Sequence, residues 1–156
     1  MNWIKLEHLL LKAEPGRAVT ADPQLDHAQL REQALRLAAG LQTRGVQRIA
    51  VHLEDAADLA IALLGAWRAG VSVLLPADLQ PQTRQRWSGE VDLWLTDQPD
   101  DTHPGDYQDA PLGAAALDLD GCSLSLCTSG SSGEPKRIEK TLRQLVNEVQ
   151  ALEQLW

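Results

Sequence analysis

Phenylalanine is absent from this 156-residue sequence, and five tryptophans supply most of its aromatic bulk. Cysteine is scarce. Cys122 and Cys127 lie five apart in a stretch that reads as a strand, so their side chains point to opposite faces and are poorly placed to bond each other. A lone pair at that spacing also lacks the companions a zinc site needs. Both read as buried thiols in a reducing compartment, which makes the cytoplasm the expected location. No run is long and apolar enough to span a membrane, and Met1–Lys12, an apolar stripe broken by Lys5, Glu7 and His8, does not read as a signal peptide. Lysine and arginine are missing from the acidic stretch Glu90–Asp120, and the formal net charge is −8. Such a surface repels nucleic acid and anionic lipid, so neither is expected as a partner. There is no internal repeat.

What is present fits one globular domain. Hydrophobic residues make up 44% and charged residues 23%, close to the globular average. A chain of this length buries about 68–70% of its unfolded surface. Residues 2–12 suit a short amphipathic helix, with Trp3, Leu6, Leu9 and Leu10 on one face, ended by Glu14-Pro15-Gly16. A second helix begins at Asp26, where Asp26 and Gln29 form a capping-box pair. It carries Leu30, Ala34, Leu37, Ala38 and Leu41 inward and ends at Gly45. Arg48–Leu53 reads as a strand. The helix from about Asp55 to Ala69 is apolar nearly all round, as expected of one sandwiched inside a layered structure, and Gly70 ends it. Val71–Leu75 is a continuous apolar run suited to a parallel strand covered on both faces. Pro81–Ser88 is a short helix with proline in its first turn, and Val91–Leu95 a third strand. Asp97–Asp120 is a long loop or a mobile insertion with few core residues. Ser123–Cys127 and Arg137–Thr141 are strands, and Leu142–Trp156 is a helix with Leu145, Val149 and Leu152 on one face. This order implies an α/β fold, a mainly parallel sheet flanked by helices. A last helix that runs onto an apolar Trp156 reads as a chain cut inside a larger protein.

Chemistry concentrates in Thr128-Ser129-Gly130-Ser131-Ser132-Gly133-Glu134-Pro135-Lys136. A strand runs into this stretch and an extended segment leaves it. Its glycines let the backbone turn so that successive amides face inward as an anion-binding nest. Thr128, Ser129, Ser131 and Ser132 add hydroxyl donors, and Lys136 adds a mobile positive charge. Each hydrogen bond to a charged phosphate contributes about 1.5–3 kcal/mol. Lys136, Arg137, Lys140 and Arg143, opposed nearby only by Glu139, make the local charge positive against the acidic whole. A flexible linker shares this composition, but linkers are not normally set between two strands and closed by Pro-Lys. A Walker loop needs Gly-Lys-Ser/Thr opening a helix, whereas here Pro135 precedes the lysine and the following residues look extended.

Thr-Ser-Gly-Ser-Ser-Gly-Glu-Pro-Lys resembles the phosphate-loop signature of the adenylate-forming superfamily: acyl-CoA synthetases, peptide-synthetase adenylation domains and luciferases. Upstream, Leu30…Ala34…Leu37-Ala38…Leu41…Gly45-Val46 is similar to that family's first long helix. Ile49-Ala50-Val51 followed by Leu63-Leu64-Gly65-Ala66-Trp67-Arg68-Ala69-Gly70 is similar to its first strand and buried helix. The resemblance implies an AMP-forming activation with ATP and Mg²⁺ as cofactors in the full-length parent enzyme. A carboxylic acid substrate attacks the α-phosphate of ATP, releasing pyrophosphate. A thiol, coenzyme A or a carrier-protein phosphopantetheine, then takes the acyl group and releases AMP. By position, Thr128, Ser129, Ser131, Ser132 and Lys136 would donate to the β- and γ-phosphates, and Gly130 and Gly133 would permit close approach.

The sequence departs from the pattern in two places. Arg137 stands where the family usually has glycine, which adds charge beside the loop, and Cys127 where an aromatic residue often precedes the motif threonine. The family's adenine pocket with its magnesium glutamate, its ribose-binding aspartate and the C-terminal domain with the adenylation lysine have no counterpart here. Residues 1–156 are therefore expected to be the N-terminal part of an adenylation domain, with an acidic loop at 97–120, catalytically inactive alone. Two other readings remain. One is a stand-alone phosphate-binding or protein-interaction module derived from that family, with Leu152, Leu155 and Trp156 as an apolar interface. The other is a flavodoxin-like domain whose loop cradles a different phosphate ligand. His8, His27, His52 and His103 are scattered and read as structural or solvated. Asp100-Asp101 reads as solvated, and no metal site is expected.

Overall fold

Local capping chemistry sets the main helices. The Asp26 carboxylate accepts the Gln29 amide at 2.8 Å, and the Gln29 side chain accepts the Asp26 amide at 2.9 Å. This reciprocal box starts the helix His27–Thr43. Asp55 accepts the Asp58 amide and starts Ala56–Ala69. Thr141 and Gln144 form a second box at the start of Leu142–Glu153. Gly45 and Gly70 follow the first two helices with φ of 65° and 73°, the left-handed conformation that side chains with a Cβ resist.

A computed structural model describes residues 3–22, 24–128 and 134–155. The elements are β1 (Ala18–Ala21), β2 (Gln24–Asp26), α1 (His27–Thr43), β3 (Arg48–His52), α2 (Ala56–Ala69), β4 (Ser72–Leu75), α3 (Pro81–Trp87), β5 (Leu93–Thr96), β6 (Ser123–Thr128), β7 (Lys136–Thr141) and α4 (Leu142–Glu153). The main sheet has the order β5-β3-β4-β6-β7. β3, β4, β5 and β6 run parallel, and β7 returns antiparallel to β6. This is the α/β fold expected from the element order.

Side-chain alternation divides the sheet into two faces. Ile49, Val51, Val73, Leu95 and Leu124 join Leu37, Leu41, Ile61 and Trp67 in the larger core with α1 and α2. Ala50, Leu74, Trp94 and Cys127 lie on the other face with Trp87 of α3. Cys122 belongs to the first cluster and Cys127 to the second, so the two thiols do occupy opposite faces. Cys122 is buried and Cys127 half-buried. Helices α1 and α2 touch where Gly65 has no side chain. A Cβ there would stand 2.8 Å from the Ala34 carbonyl oxygen and 2.8 Å from Leu37 Cδ2.

Two expectations are corrected, and one element is additional to them. Residues 2–12 do not form an amphipathic helix; within the described part only Leu6–His8 makes a 3₁₀ turn. The carbonyls such a helix needs are taken by distant groups. Glu7 O accepts the Leu117 amide, Leu9 O bonds His27 Nε2, and Leu10 O accepts Arg31 Nε. The antiparallel hairpin β1-β2 was not anticipated. Residues 97–120 are largely irregular, but they form a fastened strap rather than a mobile insertion. Tyr107 and Leu117 are core residues. The Tyr107 ring lies on Gly40, where a Cβ would come within 2.2 Å of it. Backbone bonds join Leu112 to Leu35 and Leu117 to Glu7, and Arg68 holds Gly113 O through two guanidinium nitrogens.

On α4, Leu142 is fully buried and Leu145 packs against the core, but Val149 and Leu152 are exposed, as is Leu155 just beyond the helix. Together with Trp3, Leu6 and Leu9 of the N-terminal segment, α4 borders an apolar groove of about 510 Å³. Trp156 lies outside the described residues. Among the described residues no helix is long and apolar enough to cross a membrane.

Candidate nucleotide-phosphate site

Parallel strands present their carboxyl ends along one edge, the usual place for ligands in open α/β sheets. β6 ends there at Thr128. Lys136 opens β7 directly opposite, in register with Thr128, and the Thr128 hydroxyl points to Lys136 O at 3.5 Å. The chain between them therefore leaves and re-enters the sheet at adjacent points. Of the expected phosphate-contact residues, Thr128 and Lys136 flank this opening. Ser129, Gly130, Ser131, Ser132 and Gly133 lie outside the described residues.

The positive cluster read from the sequence is largely neutralised in three dimensions. Arg137 pairs with Glu90 at 2.5 Å, Lys140 with Glu148, and Arg143 with Asp120 at 2.6 Å. Glu90 and Asp120 come from 47 and 23 residues away, which local charge counting cannot see. Among the described residues, Lys136 is the one cation of that group without a carboxylate partner. Arg137 also donates to Ser125 Oγ at 3.3 Å, so its side chain is committed to the sheet face. Burial raises the Cys127 thiol above its ordinary pKa, with Arg137 partly opposing, which makes it a poor nucleophile near neutral pH.

Sequence reading missed the side chains of α3. A cavity of about 160 Å³ opens between this helix and the base of the loop, bordered by Asp78, Thr83, Arg86 and Trp87 on one side and Cys127 and Pro135 on the other. The parallel pairing of β4 with β6 brings α3 to the loop. No spacing in the sequence carries that signal. Asp78 accepts the Gln80 amide and the Thr83 hydroxyl, and the Thr83 bond is the main cause that holds its carboxyl below the usual range.

At the far edge, Arg84 lies over the Trp94 ring at 4.8 Å and takes Asp101 through two nitrogens, while Thr96 donates to Asp101 at 2.7 Å. Asp101 is thus a partnered, half-buried group rather than the solvated one expected. Asp58, Asp97 and His103 bring their ligand atoms within 4.8 Å of one another. The histidine tautomer argues against a metal there. His103 Nδ1 accepts the Gly105 amide, so the ring proton sits on Nε2, which faces Asp58 at 3.2 Å. A ligating imidazole would instead donate from its second nitrogen. His27 is likewise structural: it is 2% exposed, accepts the Glu14 amide at Nδ1 and bonds Leu9 O through Nε2.

The fold is an α/β subdomain with a mainly parallel sheet, and comparison with known proteins gives the family. The model of the AMP-binding enzyme family matches residues 11–92, just over half of the chain. The chain belongs to that family. Phenyloxazoline synthase MbtB of Mycolicibacterium paratuberculosis (strain ATCC BAA-968 / K-10) is 33% identical over 144 residues, covering 81% of this chain and 12% of that protein. The o-succinylbenzoate CoA synthetase of Bacillus subtilis, solved with its acyl-adenylate intermediate, superposes with a TM-score of 0.68 at 19% identity, over 89% of this chain and 43% of that one. The N-terminal subdomain of Klebsiella oxytoca NpsA superposes with a TM-score of 0.62 at 20% identity, over 79% of this chain and 37% of that one. The fold is that of the N-terminal subdomain of adenylate-forming enzymes. The chain spans well under half the length of these relatives.

Proposed function

We propose that residues 1–156 are the N-terminal part of an adenylation domain in an AMP-forming acyl-activating enzyme, and that Thr128–Lys136 cradles the β- and γ-phosphates of ATP. The observation that carries this reading is the pairing of Thr128 with Lys136 at the carboxyl edge of β6, with the Ser/Gly stretch between them, in a member of the AMP-binding family. Thr128, Ser129, Ser131, Ser132 and Lys136 donate to phosphate oxygens, and Gly130 and Gly133 let the backbone approach. This contribution is positioning and charge stabilisation rather than covalent chemistry. The acid to be activated and the thiol acceptor, coenzyme A or a carrier-protein phosphopantetheine, bind residues outside this segment. Magnesium would enter with the triphosphate, since among the described residues no carboxylate set beside the loop fits a resident ion. Two free thiols favour a cytoplasmic setting.

On this reading the chain alone binds polyphosphate without forming an adenylate. Calorimetric titration with ATP or tripolyphosphate tests it. Lys136→Ala should weaken binding about tenfold, as loss of one charged hydrogen bond implies. Equal affinity of Lys136→Ala and the native chain would overturn the loop assignment.

A further inference from the structure

The cavity beside α3 holds a positive charge that the loop's own residues do not include. We infer that it forms a second anion subsite of the phosphate loop, in which Arg86 takes an oxygen of the bound nucleotide's polyphosphate. This rests on the phosphate-loop reading above.

Position is the first argument. Cys127 and Pro135, which line the cavity with Arg86, adjoin Thr128 and Lys136, the paired residues from which the proposed loop leaves and re-enters the sheet. About 160 Å³ accommodates a phosphate group with water, since a water molecule takes about 30 Å³.

Charge is the second. The neighbouring arginines are committed, Arg84 to Asp101 and Arg137 to Glu90. Arg86 has no carboxylate partner among the described residues. Its guanidinium lies 5.9 Å from the centre of the Trp87 ring. A guanidinium resting on an aromatic face keeps its edge N–H groups available for an oxyanion. With Lys136, it places beside the proposed loop two cations without a carboxylate partner among the described residues.

Asp78, on the same wall, supplies a test of opposite sign. Its carboxylate already accepts Gln80 N–H and Thr83 O–H, and it remains a negative charge in the cavity. An anion seated against Arg86 must feel both groups: loss of Arg86 weakens it and neutralisation of Asp78 strengthens it. A purely structural role would weaken binding in both variants.

The experiment is calorimetric titration of the chain with tripolyphosphate at low salt, where exposed charges are least screened. Arg86→Gln should weaken binding about fivefold and Asp78→Asn tighten it about twofold, in line with single partly exposed charges. Lys12→Gln removes the same unit charge in the exposed N-terminal segment and should change nothing. If Lys136→Ala weakens binding while Arg86→Gln and Asp78→Asn leave it unchanged, the Arg86 subsite is overturned and the loop reading stands. If Asp78→Asn weakens binding as Arg86→Gln does, the subsite is also overturned. If the native chain does not bind tripolyphosphate, both readings fall together.

Discussion

Replacing Asp101 with alanine removes two partnerships at once, and the structure allows each to be weighed. The carboxylate pairs with Arg84 and accepts the Thr96 hydroxyl at 2.7 Å. Thr96 is 0% exposed, so its hydroxyl, once deprived of that acceptor, finds no water in its place. Stranding such a group costs about 1–3 kcal/mol. The Arg84 and Asp101 side chains retain 27% and 13% exposure, and a pair in that setting contributes about 1 kcal/mol. Asp101→Ala should therefore destabilise by about 2–4 kcal/mol and lower Tm by roughly 2–4 °C for each kcal/mol. Asp101→Asn keeps an oxygen for Thr96 and loses only the charge, so about 1 kcal/mol is expected. Urea denaturation of the native chain and both variants reads these values directly. The same series carries a pH signature. The hydrogen bond from Arg84 is the main cause that holds the Asp101 carboxyl below its ordinary range. A carboxyl depressed in the folded state stabilises fully above its unfolded pKa, about 4, and loses that contribution as pH falls through the folded value. The advantage of the native chain over Asp101→Asn should thus shrink below about pH 4. A cost under about 0.5 kcal/mol for Asp101→Ala, or an advantage that grows on acidification, would refute the reasoning.

Gly65→Val should destabilise by about 1–3 kcal/mol, because its Cβ would press on the Ala34 carbonyl and on Leu37 at the α1–α2 contact; thermal unfolding checks this, and an unchanged Tm would mean that the helices can part freely. Both thiols have their pKa raised chiefly by burial, so iodoacetamide near neutral pH should label the folded chain slowly and take up two equivalents only on denaturation. Cys122, the more deeply buried, should be the slower of the two, which mass spectrometry of the labelled peptides can read.

Local interactions made much of the fold legible. The Asp26–Gln29 box and the terminating Gly45 and Gly70 act within a few residues, and each sits where its chemistry indicated. The apolar helix at 56–69 and the run at 71–75 announced burial by composition alone. The errors fell where distant partners overrule local pattern. The N-terminal stripe has helical spacing, but its carbonyls serve His27, Arg31 and Leu117. β1 and β2 carry little apolar alternation, so the hairpin left no periodic trace. Tyr107 and Leu117 are single apolar residues in an acidic stretch, and nothing nearby marks them as core.

For the proposed phosphate loop, the residue types themselves carried the argument: glycines free the backbone, hydroxyls can donate, and a lysine attracts an oxyanion. Composition and order likewise determined the α/β class, because helical and strand periods are written in neighbouring residues. Only the tertiary structure decided the electrostatics around that loop. It brought Glu90, Glu148 and Asp120 to three of the four cations, leaving Lys136 without a carboxylate partner among the described residues, and the parallel β4–β6 pairing set Arg86 and Asp78 of the α3 region near it. The physical reason is range. Backbone preferences act over a few residues, whereas Coulomb and packing forces depend on distance in space, which the chain acquires only when the strands align.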